Sequence, residues 1–195
     1  MNVPNVLSVI RIILSPVFLY LFLTGDVLLQ RISVVVFFIA VLTDWYDGWY
    51  ARKYKSVTKT GIFLDPLADK ILTTFAFILF FIKRMLPYWM LAIIAVRDII
   101  ITLLRSYDEY KGRTIKTSKI AKTKTFLQMT YIFFILALFT LPTFDTSEAL
   151  KVSINDFLFN SSANYIFMLV ITLITLYTGV SYFIEKRHYK NNEIN

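Results

Sequence analysis

Cysteine is missing from this 195-residue chain, and histidine occurs once. The first absence excludes a disulfide framework, a thiolate metal site and a thiol nucleophile. The single imidazole, His188, stands in a charged C-terminal tail and is assigned no catalytic role. Charge is also scarce, at 17% of residues, where a soluble domain averages about 25%. No internal repeat and no low-complexity linker interrupts the chain. What remains is apolar: 57% hydrophobic, 17% aromatic, with a mean hydropathy of +0.61. The apolar residues come in blocks, which predicts a polytopic membrane protein. The net charge of +8 then reads as basic loops facing the cytoplasm and anionic headgroups, and no nucleic-acid partner is expected.

Six blocks approach the ~20 residues that a hydrocarbon core requires. They cover residues 5–23, 31–50, 62–82, 88–104, 120–141 and 165–184. The expected fold is therefore all-α, six transmembrane helices forming one membrane-embedded domain over residues 1–195. The first block has no small-residue cleavage site and is read as a span, not a signal peptide. Basic residues are distributed unevenly between the two sets of loops. One set holds Arg52, Lys53, Lys55, Lys59, Arg105, Lys111, Arg113, Lys116, Lys119, Lys122, Lys124, Lys186, Arg187 and Lys190; the other only Arg31, Lys83, Arg84 and Lys151. This bias predicts an inner-membrane protein with both termini on the cytoplasmic side. The segment 142–164, with Asp145, Glu148 and Asp156, is expected as an outward-facing loop. Trp45, Trp49, Tyr50, Tyr88, Trp89 and Tyr182 fit interfacial aromatic belts.

The stretch DWYDGWYARKYKSVTKTGIFLDPLADK, residues 44–70, stands out against this background. Asp44 and Asp47 are spaced i,i+3, and Asp65 and Asp69 i,i+4, so on helices each pair shares a face. Both pairs fall near the loop joining the second and third spans, at one membrane depth. Carboxylates there are costly unless paired, hydrated or metal-bound. Gly48 and Gly61 share stripes with them and would let the two helix backbones approach closely. Facing carboxylates must then hold protons, gather cations or repel. An all-oxygen set without His or Cys favours a hard ion, Mg²⁺ or Mn²⁺. Four carboxylates suit two bridged ions, as in sites that displace a group at phosphorus. Arg52, one turn beyond Gly48, suits a phosphate oxygen.

In full the pattern is D-x-x-D-G-x-x-A-R, eight residues, then G-x-x-x-D-x-x-x-D. It resembles the CDP-alcohol phosphotransferases at every defining position: Asp44, Asp47, Gly48, Ala51, Arg52, Gly61, Asp65 and Asp69. Eight fixed identities recur by chance roughly once in 10⁹–10¹⁰ starts at ordinary residue frequencies. That family's six-helix architecture agrees with the spans above. The resemblance implies that a hydroxyl attacks the β-phosphorus of a CDP-linked lipid and that CMP leaves. It also implies roles: Asp44, Asp47, Asp65 and Asp69 as ligands of a divalent pair, with Asp69 also the general base. Gly48, Arg52, Thr58 and the opening Val3-Pro4-Asn5-Val6 fall where the family contacts the CDP moiety. A homodimer is suggested by the resemblance alone.

Within the family the nearest likeness is to phosphatidylglycerophosphate synthases, which take CDP-diacylglycerol and glycerol 3-phosphate. NVPNVLSVIRIILSP resembles their N-P-N-x-L-T-x-x-R opening, with Ser8 in place of Thr. AVRDIIITLLR resembles A-R-E-x-x-x-x-x-x-R, with Asp98 replacing Glu. IAKTKTFLQM resembles G-K-x-K-T-x-x-Q, with Ala121 replacing Gly. A dianionic acceptor needs cations, and Arg97, Arg105, Lys122 and Lys124 lie towards the cytoplasmic ends of the fourth and fifth spans. Arg97 and Asp98 also read as an internal ion pair, and Lys122 and Lys124 as positive-inside loop residues. Lys70 either balances the carboxylates or touches substrate. Two other readings compete: a sibling enzyme using inositol phosphate, serine or phosphatidylglycerol, and a cation or proton transporter. The second lacks the mirrored halves common in transporters.

Overall fold

In the computed structural model the chain is helical along most of its length. Residues 3–54, 58, 60–112 and 119–192 are described, without the side chains of Val3, Ala51, Arg52, Tyr54 and residues 185–192. Of the loop cations counted above, Lys55, Lys59, Arg113 and Lys116 lie outside the described residues. So do the side chains of Arg52, Lys186, Arg187, His188 and Lys190, and of Val3 in the proposed nucleotide contact.

Seven helices follow one another: α1 (Val3–Leu23), α2 (Val27–Tyr54), α3 (Gly61–Ile82), α4 (Tyr88–Tyr110), α5 (Lys119–Thr140), α6 (Glu148–Asn160) and α7 (Ser162–Asn192). Six of them coincide with the apolar blocks. Local chemistry sets their ends. Asp26 caps α2 by accepting the Leu29 N–H at 2.9 Å, an N-cap contact that satisfies an orphan helix donor. Gly112, at φ +77°, follows the last turn of α4, where a left-handed residue ends a helix at no Cβ cost. Pro66 is the sixth residue of α3. It lies past the first turn, so its missing N–H leaves the Ile62 carbonyl without its helical donor.

Among the described residues, four helical stretches are long and apolar enough to cross a bilayer unaided: Pro4–Leu23, Val27–Tyr50, Lys119–Thr143 and Ser162–Ile184. The protein is an integral membrane protein on that ground. Helices α3 and α4 have comparable length but carry internal charge, Asp65, Asp69 and Lys70 in one and Arg97, Asp98 and Arg105 in the other. The segment expected as an outward loop contains α6. Its Ile154 and Leu158 are buried one turn apart, while Leu150, Val152 and Phe159 stay exposed. This i,i+4 pair on a short polar helix is too weak a stripe to stand out beside the long apolar blocks.

The core runs along α3, where Leu72, Ala76, Phe77, Leu79 and Phe80 are almost fully buried. Phe18 and Phe37 meet it from α1 and α2, Met90 and Ile94 from α4, and Ile132, Ile135 and Leu136 from α5. Large apolar side chains also cover the outside, including Ile13, Tyr20, Val35, Phe38, Phe126, Leu173 and Val180. A bilayer, unlike water, solvates such a belt. One packing relation departs from expectation. Helices α2 and α3 touch each other sparingly, whereas α1 packs extensively on both. Helices α2 and α3 do meet, but each packs far more on α1 than on the other.

Candidate functional site

The site forms at one end of the bundle, where α1 begins, α2 ends, α3 begins, α4 ends and α5 begins. Its first component is Arg11 of α1, a completely buried side chain. Its guanidinium donates through Nη1 to Asp44 Oδ1 at 2.7 Å and through Nη2 to Asp47 Oδ2 at 2.5 Å. Nε donates to the Ala40 carbonyl at 3.2 Å, one helical turn before Asp44. One arginine thus spans the i,i+3 pair, and its planar fork holds both carboxylates at once. Asp47 is buried, while the Asp44 side chain is 45% exposed.

The second component gathers around Gly61. Thr58 Oγ1 accepts the Gly61 N–H at 3.0 Å and so caps α3, and it donates to Asn5 Oδ1 at 3.1 Å. Ser8 donates to Asp65 Oδ1 at 2.5 Å. A Cβ on Gly61 would sit 3.0 Å from both Asn5 Oδ1 and Thr58 Oγ1 and 3.4 Å from Asp65 Oδ2. The glycine is needed for room: α1, the loop and α3 converge on it. Of the expected nucleotide contacts, Asn5 and Thr58 are brought together here. Pro4 is buried and Val6 is 40% exposed at the start of α1, and Gly48 is half-buried next to Asp47.

The two carboxylate pairs belong to one electrostatic unit. Asp44 interacts with Asp69 and Asp65, and Asp47 with Asp65. Asp69 accepts from Lys70 Nζ at 2.7 Å. Lys70 in turn faces a second chamber, a cavity of about 600 Å³ between α3, α4 and α5. Arg97, Arg105, Lys122 and Lys124 all line it, as do Asp98 and Glu109. Asp98 is the hub of this wall: it accepts from Arg97 Nη1 at 3.0 Å and from Lys124 Nζ at 2.5 Å. Arg97 also donates to Thr178 Oγ1 of α7 at 2.8 Å and passes close over Gly179, whose Cβ would meet Arg97 Cγ at 3.2 Å. The Arg97–Asp98 pair is thus both an internal ion pair and part of a cavity wall. The two motif departures, Asp98 and Ala121, line the same chamber.

Comparison with known proteins matches this architecture to a family. The sequence profile of the CDP-alcohol phosphatidyltransferases covers residues 1–177. The chain belongs to the CDP-alcohol phosphatidyltransferase family. A CDP-diacylglycerol–glycerol-3-phosphate 3-phosphatidyltransferase of Wigglesworthia glossinidia brevipalpis is 37% identical over 141 residues, 70% of this chain and 77% of that one. A Rickettsia bellii protein of the same name is 32% identical over 182 residues, 93% of either chain. One from Salmonella typhimurium is 35% identical over 140 residues, 69% of this chain and 76% of its own. The protein is accordingly a transferase of phospholipid synthesis.

Enzymes of this family generally depend on a divalent metal. The donors fit such an ion in kind, being carboxylate oxygens on neighbouring helices. Among the described residues no three carboxylates converge tightly enough to cage one as they stand. Each of the four instead engages a cation or hydroxyl through a single oxygen: Asp44 and Asp47 with Arg11, Asp65 with Ser8, Asp69 with Lys70. The residue that sequence reasoning passed over is Arg11. It lies in the quoted opening motif without a role, yet an arginine inside an apolar span is itself a signal of a buried acidic partner.

Proposed function

We propose that this transferase moves the phosphatidyl group of CDP-diacylglycerol to glycerol 3-phosphate, yielding phosphatidylglycerophosphate and CMP. The observation that carries the acceptor is the cationic chamber abutting the carboxylates. Five cations, Lys70, Arg97, Arg105, Lys122 and Lys124, line it against two anions, Asp98 and Glu109. A dianionic phosphate offsets most of that excess; a neutral alcohol offsets none of it.

The chemistry follows from the neighbouring groups. Asn5, Gly48, Arg52 and Thr58 bind the CDP moiety. A divalent pair, Mg²⁺ or Mn²⁺, held by Asp44, Asp47, Asp65 and Asp69, supplies charge neutralisation on the pyrophosphate when bound. Lys70 fixes Asp69 through Oδ2, leaving Oδ1 to take the proton of the acceptor hydroxyl. The hydroxyl oxygen forms its bond to the β-phosphorus as the bond to the CMP oxygen breaks, and CMP departs. Arg97, Arg105, Lys122 and Lys124 hold the acceptor phosphate away from the reacting phosphorus. Lys124 and Arg97 are themselves kept in place by Asp98.

Six of the seven helices cross the inner membrane, with both termini and the site on the cytoplasmic side, and α6 lies at the outer surface. Helices α3 and α4 have 22 and 23 residues, or about 33–35 Å at 1.5 Å per residue, enough for a core of about 30 Å. Their charges turn inward: Asp98 is 2% exposed, and the side chains of Arg97 and Asp69 are 17% and 21% exposed. A homodimer is the further expectation carried from the family.

The test is CMP release by the purified protein in lipid nanodiscs with CDP-diacylglycerol, Mg²⁺ and a panel of alcohols. Release with glycerol 3-phosphate alone is the expected result. Release with inositol phosphate, serine or phosphatidylglycerol instead replaces the acceptor. No release with any alcohol removes the proposed reaction.

A further inference from the structure

We infer that Arg11 is a positioning residue for the metal centre: it holds one oxygen of Asp44 and one of Asp47, and so aims the other two at the divalent ions. The inference rests on the carboxylate ligand set proposed above and adds the device that sets its geometry.

Three observations support it. Arg11 is fully buried and all three kinds of guanidinium nitrogen are engaged, Nη1 on Asp44, Nη2 on Asp47 and Nε on the Ala40 carbonyl. The side chain therefore cannot rotate without breaking three bonds, and Arg11 itself is out of reach of water to replace them. The pairing is also divided between two acids. A bidentate clamp on one carboxylate would consume both its oxygens, whereas here Asp44 Oδ2 and Asp47 Oδ1 make no hydrogen bond among the described residues. Finally, Asp44 interacts with Asp65 and Asp69 across the gap to α3, so the unused oxygens belong to the cluster that must receive the ions. Ligands whose second atom is fixed by a neighbouring donor bind metal better than free ones. A lysine at this position preserves the charge but offers one nitrogen, which cannot hold two carboxylates at a set separation.

The experiment measures Mn²⁺ binding by electron paramagnetic resonance on the full chain in nanodiscs, without substrate. Wild type, Arg11→Lys and Asp47→Asn are compared, and thermal unfolding is followed in parallel. The expected result is that Asp47→Asn weakens Mn²⁺ binding and that Arg11→Lys weakens it at least tenfold at unchanged charge. If Asp47→Asn weakens binding but Arg11→Lys binds Mn²⁺ as wild type does, even with a lower melting temperature, Arg11 is only structural and the inference falls while the ligand set stands. If Asp47→Asn binds Mn²⁺ as wild type does, the ligand set fails and takes this inference with it. Should Arg11→Lys not fold, an Arg52→Lys chain with ¹⁵N-guanidino arginine replaces it. A ¹⁵N coupling to bound Mn²⁺ is then expected from Arg11, and its absence overturns the inference.

Discussion

Two charged regions share one end of this bundle, and they are built with opposite surpluses. Between α1, α2 and α3, Asp44 and Asp47 share the buried Arg11, Asp65 takes only the Ser8 hydroxyl and Asp69 takes Lys70, leaving negative charge over. Among the described residues lining the chamber between α3, α4 and α5, the cations Lys70, Arg97, Arg105, Lys122 and Lys124 outnumber Asp98 and Glu109, Lys70 being paired with Asp69. Neither surplus is tolerable in a hydrocarbon setting without a ligand of the opposite sign. The difference agrees with the proposed function, which puts divalent cations and the CDP pyrophosphate in the first region and a free phosphate in the second. Asp69 and Lys70, adjacent in sequence and 2.7 Å apart, are where the two regions touch. In the proposed reaction, a proton leaving an alcohol held in the basic chamber meets a carboxylate of the acidic one.

That division can be broken, and the most damaging change is at the seam. Asp69→Asn removes the proton acceptor, and CMP release should fall about 10³-fold, while the variant still purifies as a folded helical protein. Turnover near wild type would dissolve the link between the two regions. On the basic side, Arg105→Gln should raise KM for glycerol 3-phosphate about 10–100-fold, the scale of a lost charge-assisted hydrogen bond, with little change in KM for CDP-diacylglycerol. Equal effects on both substrates would mean that the regions are not separate sites.

On the acidic side, Gly61→Ala puts a methyl group 3.0 Å from Asn5 Oδ1 and Thr58 Oγ1. KM for CDP-diacylglycerol should rise about tenfold, one lost contact's worth, and the acceptor KM should hold. Lys122, exposed at the rim of the chamber, sharpens the comparison with its neighbour Lys124, which is 3% exposed. Lys122→Gln should raise the acceptor KM only about two- to fivefold, and the effect should vanish in high salt because exposed charges are screened. A large, salt-independent effect would place Lys122 inside the chamber.

Much of the acidic region is legible in the sequence because its logic is local. Asp44 and Asp47, like Asp65 and Asp69, are joined by helical periodicity, and the loop between α2 and α3 sets their common depth. The basic region is legible only as a list. Arg97, Arg105, Lys122 and Lys124 occur in loops and span ends where lipid headgroups explain cations equally well, and only packing gathers them around one cavity. The stripe argument is weakest where it concerns partners. Gly48 and Gly61 suggested that α2 and α3 meet directly; they touch, but only sparingly, and α1 lies extensively against both. Helix α6 is missed because its buried face amounts to Ile154 and Leu158.

By itself, then, the order of residues determined the six long helices, the membrane as their solvent, the four acids and the family to which they belong. These follow from periodicity, length and spacing, which are properties of neighbours along the chain. Tertiary structure alone decided that Arg11 would join Asp44 to Asp47 from more than thirty residues away, that Ser8 would hold Asp65, and that scattered cations would enclose a chamber beside Asp69. The reason is geometric. A helical repeat says which side chains share a face, but which face turns to which neighbour is set by the packing of all the helices together.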